Sequence, residues 1–283
     1  MTHRYFADLA CIISITSCIS TTSFAAPIDF GVTAGYESFV WEEFDATGSQ
    51  LLEESGTRYA ISGFLGNTLR TREKLIYRAD AKLYFGTVDY DGQTQDGVAL
   101  TSDTQYGGLM LEGEMGYRAD ISDGTIAWDF IGRGGFDAWR REIDDSVDAS
   151  GRRVHGIAEQ YTILNIRAGT GPSWQMGRWQ GRLLAGYKLP LLTNEHISED
   201  DSRFDEDVNL EPEGRFSPFL NFNNSIRMTD SLWITINAFY DSYRFDASDP
   251  ELVRDKDGQT LMVWQPESSQ DNYGFQAGVS FSF

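Results

Sequence analysis

Residues 272–283 alternate without a break: Tyr273, Phe275, Ala277, Val279, Phe281 and Phe283 fall on one side of an extended chain, and Asn272, Gly274, Gln276, Gly278, Ser280 and Ser282 on the other. Successive side chains of a strand point to opposite faces, so this period of two predicts a strand with different surroundings on its two sides. A sheet with one face in water carries Lys and Glu on that face; Gly, Ser, Asn and Gln suit a crowded interior. The same period runs through 231–245, where Leu232, Ile234, Ile236, Ala238 and Tyr240 oppose Thr235, Asn237, Asp241 and Tyr243, and through 214–228 and 178–191. Further strands are predicted over 28–41, 58–66, 75–88, 105–118, 126–140 and 158–171, ten in all.

The connections alternate in length. Those at 69–74, 119–124, 172–177 and 228–231 are short; those at 42–57, 89–104, 141–157, 192–213 and 246–271 are long. An even number of such strands, joined in this way, predicts an all-β fold: a ten-stranded antiparallel transmembrane β-barrel of up-and-down topology, with short periplasmic turns, long extracellular loops and both termini in the periplasm. Closure leaves no unpaired sheet edge and satisfies the backbone inside a bilayer. Tyr36, Trp41, Trp128, Trp139, Trp179, Trp233 and Tyr273 lie near strand ends and are expected in interfacial girdles. The last strand, ending on Phe283, resembles the terminal strand of bacterial outer-membrane β-barrel proteins. That resemblance implies residence in outer-membrane lipid and lipopolysaccharide, and recognition of the C-terminal strand by barrel-assembly machinery.

The chain ends and charges narrow the picture. His3 and Arg4 precede an apolar run, and Ser23-Phe24-Ala25 places small residues at the −3 and −1 positions of a cleavage site, so 1–25 reads as a signal peptide and 26–283 as the barrel. Ile15-Thr16-Ser17-Cys18 offers the alternative of lipidation at Cys18. Cleavage after Ala25 removes both cysteines, Cys11 and Cys18, and with them thiol catalysis, thiolate metal sites and disulfides. No run of about eighteen apolar residues follows, which excludes a membrane-spanning helix.

A net charge of −20 argues against nucleic-acid binding, which needs a basic footprint. The five long connections together hold more than that whole charge. The acidic stretch 199–214, with Asp200, Asp201, Asp205 and Asp207, is a candidate for loosely held divalent cations shared with lipopolysaccharide phosphates; no tightly bound cofactor is expected. On the inward faces Arg58, Arg78, Lys82, Arg118, Arg133, Arg167, Arg178, Arg182, Lys188 and Arg227 stand among Glu37, Asp80, Glu112, Glu114, Asp129, Asp137 and Asp241. A barrel this narrow, holding such long side chains, is expected to be mostly filled, with a narrow anion-biased channel as the alternative.

Asp89-Tyr90-Asp91-Gly92 carries the sharpest chemical suggestion. As a calcium loop it fails, because Val98 falls where the bidentate ligand belongs. As a turn it has relatives: Asp45 and Gly48, Asp148 and Gly151, and Asp255 and Gly258 repeat the spacing in three other long connections. Aspartate first and glycine fourth suit a type I turn closed by a left-handed glycine, so the pattern predicts hairpin tips. The third reading is enzymatic. A ten-stranded barrel with an aspartate pair after its third strand resembles the omptin family of outer-membrane proteases, in which that pair faces an Asp-x-His on the fourth outer loop. Asp89 and Asp91 match the pair, and Asn194-Glu195-His196 puts His196 at the place of the base, with Asn194 where the family has aspartate. The resemblance implies an endopeptidase with Asp89, Asp91 and His196 as catalytic candidates, but without the carboxylate that would orient the histidine. The turn pattern and the acidic loops favour a surface or structural protein, such as an adhesin or envelope-stabilising module, over the peptidase and the channel.

Overall fold

The computed structural model describes residues 28–68, 74–93 and 97–283, so the signal peptide, Cys18 and the turn at 69–73 lie outside the described residues. The strands are β1 (Asp29–Phe44), β2 (Gln50–Gly66), β3 (Leu75–Gln93), β4 (Ala99–Ser122), β5 (Ile126–Ile143), β6 (Ser146–Val147), β7 (Arg153–Val154), β8 (Ala158–Met176), β9 (Trp179–Ile197), β10 (Val208–Leu210), β11 (Ser217–Arg227), β12 (Leu232–Phe245), β13 (Glu251–Arg254), β14 (Thr260–Val263) and β15 (Glu267–Ser282). Ten of these, β1 to β5, β8, β9, β11, β12 and β15, pair antiparallel in chain order, and β15 pairs back onto β1 from Asp29↔Ser282 to Phe44↔Glu267. The result is a closed ten-stranded barrel. Each of the ten strands read from the sequence is present.

Outward positions on β1 and β2 expose Phe30, Val32, Tyr36, Tyr59, Ile61 and Leu65, and the band continues around the barrel through Phe85, Met115, Phe130, Tyr187, Phe222 and Tyr273. This is the face a bilayer core covers. Tyr36, Trp128, Trp179 and Tyr273 are exposed there, as girdle residues should be, but Trp41, Trp139 and Trp233 are buried. Their odd numbers put Trp41 in phase with inward Glu37 and Trp139 in phase with inward Asp137, so alternation overrides nearness to a strand end. Arginine at Val32 is expected to weaken folding into lipid vesicles by about 2–4 kcal/mol, whereas Glu42→Arg, on the same outward face but past the band, should cost roughly 0.5 kcal/mol or less. Urea titration of the two variants would show it; equal losses would mean that the band is not a lipid surface.

Inside the band the inward charges pair. Arg58 Nη2 and Lys82 Nζ meet Glu37 at 2.6 and 2.5 Å, Arg118 Nε meets Asp129 at 2.7 Å, and Arg182 Nη1 meets Glu114 at 2.6 Å. Arg167 reaches Glu112 and Asp241, and Lys188 also reaches Asp241. A cavity of about 100 Å³ remains among Arg78, Lys82, Glu112, Arg133, Arg167 and Asp241. Arg178 is a correction: it sits exposed in the turn between β8 and β9, not in the lumen.

Several long connections prove short, because the strands continue past the apolar band. β1 and β2 leave only 45–49 between them, and β3 and β4 leave 94–98. Three of the Asp-x-x-Gly sites are turns: Gly48, Gly151 and Gly258 have φ near +80°, at 81°, 86° and 80°. Asp45, Asp148 and Asp255 accept the amide hydrogens two and four residues ahead. The Ser150 hydroxyl, donating to Asp148, holds that carboxyl at about 2. The fourth site is not a turn. Asp89 to Gly92 lies within β3, whose pairing with β4 runs unbroken to Gln93↔Ala99, because Tyr90 is buried inward and keeps the alternation going.

Candidate functional site

Above the band the barrel interior changes from paired charges to aromatic rings. Phe39, Trp41, Tyr84, Tyr106, Trp139, Tyr161, Tyr243 and Phe245 belong to one buried cluster, with Trp139 stacked on Tyr161 at 5.0 Å and Phe39 against Tyr106 at 4.7 Å. A second cluster closes the loop end. Phe204, Val208 and Leu210 from the segment after β9 pack with Val253 of the β13–β14 hairpin and with Ile197. Backbone bonds from Asp205 N to Arg254 O and Lys256 N to Arg203 O, at 3.0 Å each, tie the two segments together. The Lys256 ammonium adds bonds to the Glu199 and Ser202 carbonyls. The fourth and fifth long connections thus form one cap.

Between the aromatic cluster and the cap, four carboxylates converge on one guanidinium. Glu43 comes from β1, Glu54 from β2, Arg141 from β5, Glu159 from β8 and Glu195 from β9, each at most 8 % exposed. Arg141 Nη2 donates to Glu43 at 3.0 Å, its Nε donates to Glu159, and its Nη1 lies 3.7 Å from Glu54. Glu43 also accepts from Trp41 Nε1 at 2.9 Å and Gln265 Nε2 at 3.1 Å, and Glu54 from Thr104 Oγ1 at 3.0 Å and the Tyr106 hydroxyl. Glu195 stands opposite Tyr161 in the β8–β9 register, and its Oε2 makes no hydrogen bond to any described residue.

The outward positions at this level are Asp89, Gln105, Gln160 and His196, all polar, so the cluster lies beyond the membrane-spanning segments. Burial pushes Glu54, Glu159 and, furthest, Glu195 above the ordinary carboxylate range, and the neighbouring Glu159 charge pushes Glu195 higher still. Like charges this close cannot all ionise, so the set holds protons that isolated glutamates would release.

The structure does not assemble the residues singled out from the sequence. Asp89, between inward Val88 and Tyr90, and Asp91, just past Tyr90, are exposed on β3, so they point away from the lumen. His196 lies between inward Glu195 and Ile197, with its Nδ1 3.0 Å from Asn209 Oδ1. β3 pairs with β2 and β4, and β9 with β8, β10 and β11, so the aspartate pair and the histidine project from separate parts of the outer wall. Asp200 lies exposed in the short 3-10 turn Glu199–Asp201, Asp207 accepts the Glu199 amide at 2.9 Å, and Asp205 is exposed; the Asp201 side chain is outside the described atoms. Among the described residues no three His, Cys, Asp or Glu side chains are arranged to hold a metal. The glutamate cluster was missed because all its members except Glu159 sit at strand ends that read as loops. The available signal was phase: Glu43 continues Glu37, Phe39 and Trp41, and Arg141 continues Asp137 and Trp139.

Among solved structures, the outer membrane protease OmpT from Escherichia coli superposes with a TM-score of 0.63 at 11 % identity, over 94 % of this chain and 100 % of that one. The fold is that of the outer-membrane β-barrels. The translocator domain of the autotransporter NalP from Neisseria meningitidis is more distant, with a TM-score of 0.45 at 9 % identity over 90 % of this chain and 88 % of that one. No protein-family model matches the chain. No curated protein sequence matches it either. At these identities the likeness describes the barrel and not what it does.

Proposed function

We propose that this barrel is a non-conducting surface module of the bacterial outer membrane. Its termini and short turns face the periplasm and its capped end faces outward. The observation that carries this reading is the double closure of the lumen, by the aromatic cluster and by the cap packed above it. A conduit needs a continuous polar path, and a surface module needs a rigid outer face. The cap supplies such a face, with Asp200, Asp205, Glu206 and Asp207 exposed on it, suited to loosely held divalent cations and through them to lipopolysaccharide phosphates. An adhesive or envelope-stabilising role follows from that surface, and the terminal strand ending at the exposed Phe283 suits recognition by the assembly machinery. An omptin-like peptidase would need Asp89, Asp91 and His196 to converge, and the aspartates point outward from β3 while the histidine lies on β9.

Planar-bilayer recording tests the reading. The purified protein should give flat traces, and a variant lacking residues 199–213 should also give flat traces, because the aromatic cluster remains beneath the cap. Unitary steps from the intact protein would overturn the proposal in favour of a channel.

A further inference from the structure

The four-to-one ratio of carboxylates to guanidinium has a consequence for the cap. If all four glutamates ionised, Arg141 would leave the pocket with a large buried negative charge. Glu43, Glu54 and Glu159 have charged or amide and hydroxyl donors to balance theirs; Glu195 has only the neutral Tyr161 hydroxyl opposite it among the described residues, and its Oε2 stays unmatched. The strand that carries Glu195 also carries the cap. β10 pairs with β9 at Leu210↔Glu195, Asn209↔His196 and Val208↔Ile197, and Ile197, Val208 and Leu210 are buried together. A charge arising on Glu195 would therefore appear directly beside the only strand joining the cap to the barrel sheet by a ladder among the described residues.

We propose that Glu195 is a proton-operated latch: protonated, it keeps β10 and the cap docked on β9, and ionised, it releases them. The charged and titratable groups around it are Glu159 and Tyr161 from β8, Arg141 from β5 and Glu43 from β1; Glu54 from β2 and Tyr90 from β3 complete the set. Each carboxylate among them opposes a second negative charge, and Arg141 is already engaged by three of them.

The sign follows from linkage. The docked state holds Glu195 with a raised pKa, and undocking, by admitting water to a buried carboxyl, lowers it toward the ordinary value. The docked state therefore binds the extra proton, its advantage is full below the ordinary value, and it is lost as pH rises toward the raised one. Within that window opening should become roughly tenfold easier per pH unit, for one proton released.

Hydrogen exchange of the 208–210 amides in the full-length protein reconstituted in lipid nanodiscs tests this, with rates divided by the intrinsic exchange rate at each pH. Wild type should lose protection steadily from pH 5 upward, while strand amides in the membrane band stay protected. Glu195→Gln, which cannot ionise, should keep its protection throughout. If that variant fails the heat-shift test for a folded barrel on detergent gels, Glu159→Gln serves instead: with one negative neighbour removed, its loss of protection should level off at a lower pH than in wild type and so span a narrower window. Wild-type protection independent of pH, or a pH dependence unchanged in both variants, would overturn the latch. Neither outcome bears on conductance, so the latch and the non-conducting reading can fail separately.

Discussion

Replacing Arg141 by methionine is expected to destabilise the barrel by roughly 3–5 kcal/mol, the usual cost of leaving buried charge without its partner. The guanidinium is 3 % exposed and is the cation shared by Glu43, Glu54 and Glu159. It also lies 5.2 Å from the centre of the Trp41 ring, so its loss removes a cation–π contact as well. Urea titration in detergent micelles, followed by gel mobility of unboiled samples, would measure the effect. The deficit should shrink toward acid pH, because the four carboxylates can then fill with protons and need no counter-charge. Arg153→Met provides the comparison: its partner Asp145 is at 2.7 Å, but the pair is largely exposed, and exposed pairs contribute about 1 kcal/mol or less. Equal losses from the two substitutions would show that the cluster is not a buried electrostatic unit.

The barrel was legible in the sequence because lipid on one side and a crowded lumen on the other impose opposite chemistry on alternate residues. That contrast fades past the apolar band. From Glu42 on β1 or Gln160 on β8 outward, water replaces lipid, both faces of the strand become polar, and hydropathy no longer separates them. The strands continue there all the same, which is why Asp89 to Gly92 read as a turn and proved to be strand. The cap was hidden for a related reason. Phe204, Val208, Leu210 and Val253 are four apolar residues scattered among acidic ones, and only the pairing of two distant connections gathers them into a core. The Asp-x-x-Gly turns, by contrast, are local. An aspartate that accepts the amides ahead of it and a glycine at positive φ need nothing from the rest of the fold, and three of the four sites formed as read.

Within the membrane band, Glu37→Leu should have an effect as large as that at Arg141. Glu37 is fully buried and accepts from Arg58 at 2.9 and 2.6 Å and from Lys82 at 2.5 Å. Its removal leaves two cations close together, with Asn272 Oδ1 at 3.0 Å and the Phe39, Tyr84 and Tyr106 rings left to hold Arg58. A loss of roughly 3–5 kcal/mol is expected in vesicle-based urea titration. The triple variant Glu37→Leu, Arg58→Met, Lys82→Met should recover most of it, since exchanging a whole buried ionic set for apolar residues is often neutral or stabilising. Recovery of stability need not bring recovery of assembly. A strand slipped by one residue turns its inward set toward lipid, and three inward charges make that slip costly on β1, β2 and β3 together. With these three charges gone the inward faces of the strands are less polar and the penalty on the slipped register falls. The triple variant should therefore be stable once folded but refold into vesicles with a lower yield of the compact, heat-shifting form. A refolding yield equal to wild type would mean that alternation of the remaining residues is enough to set the register.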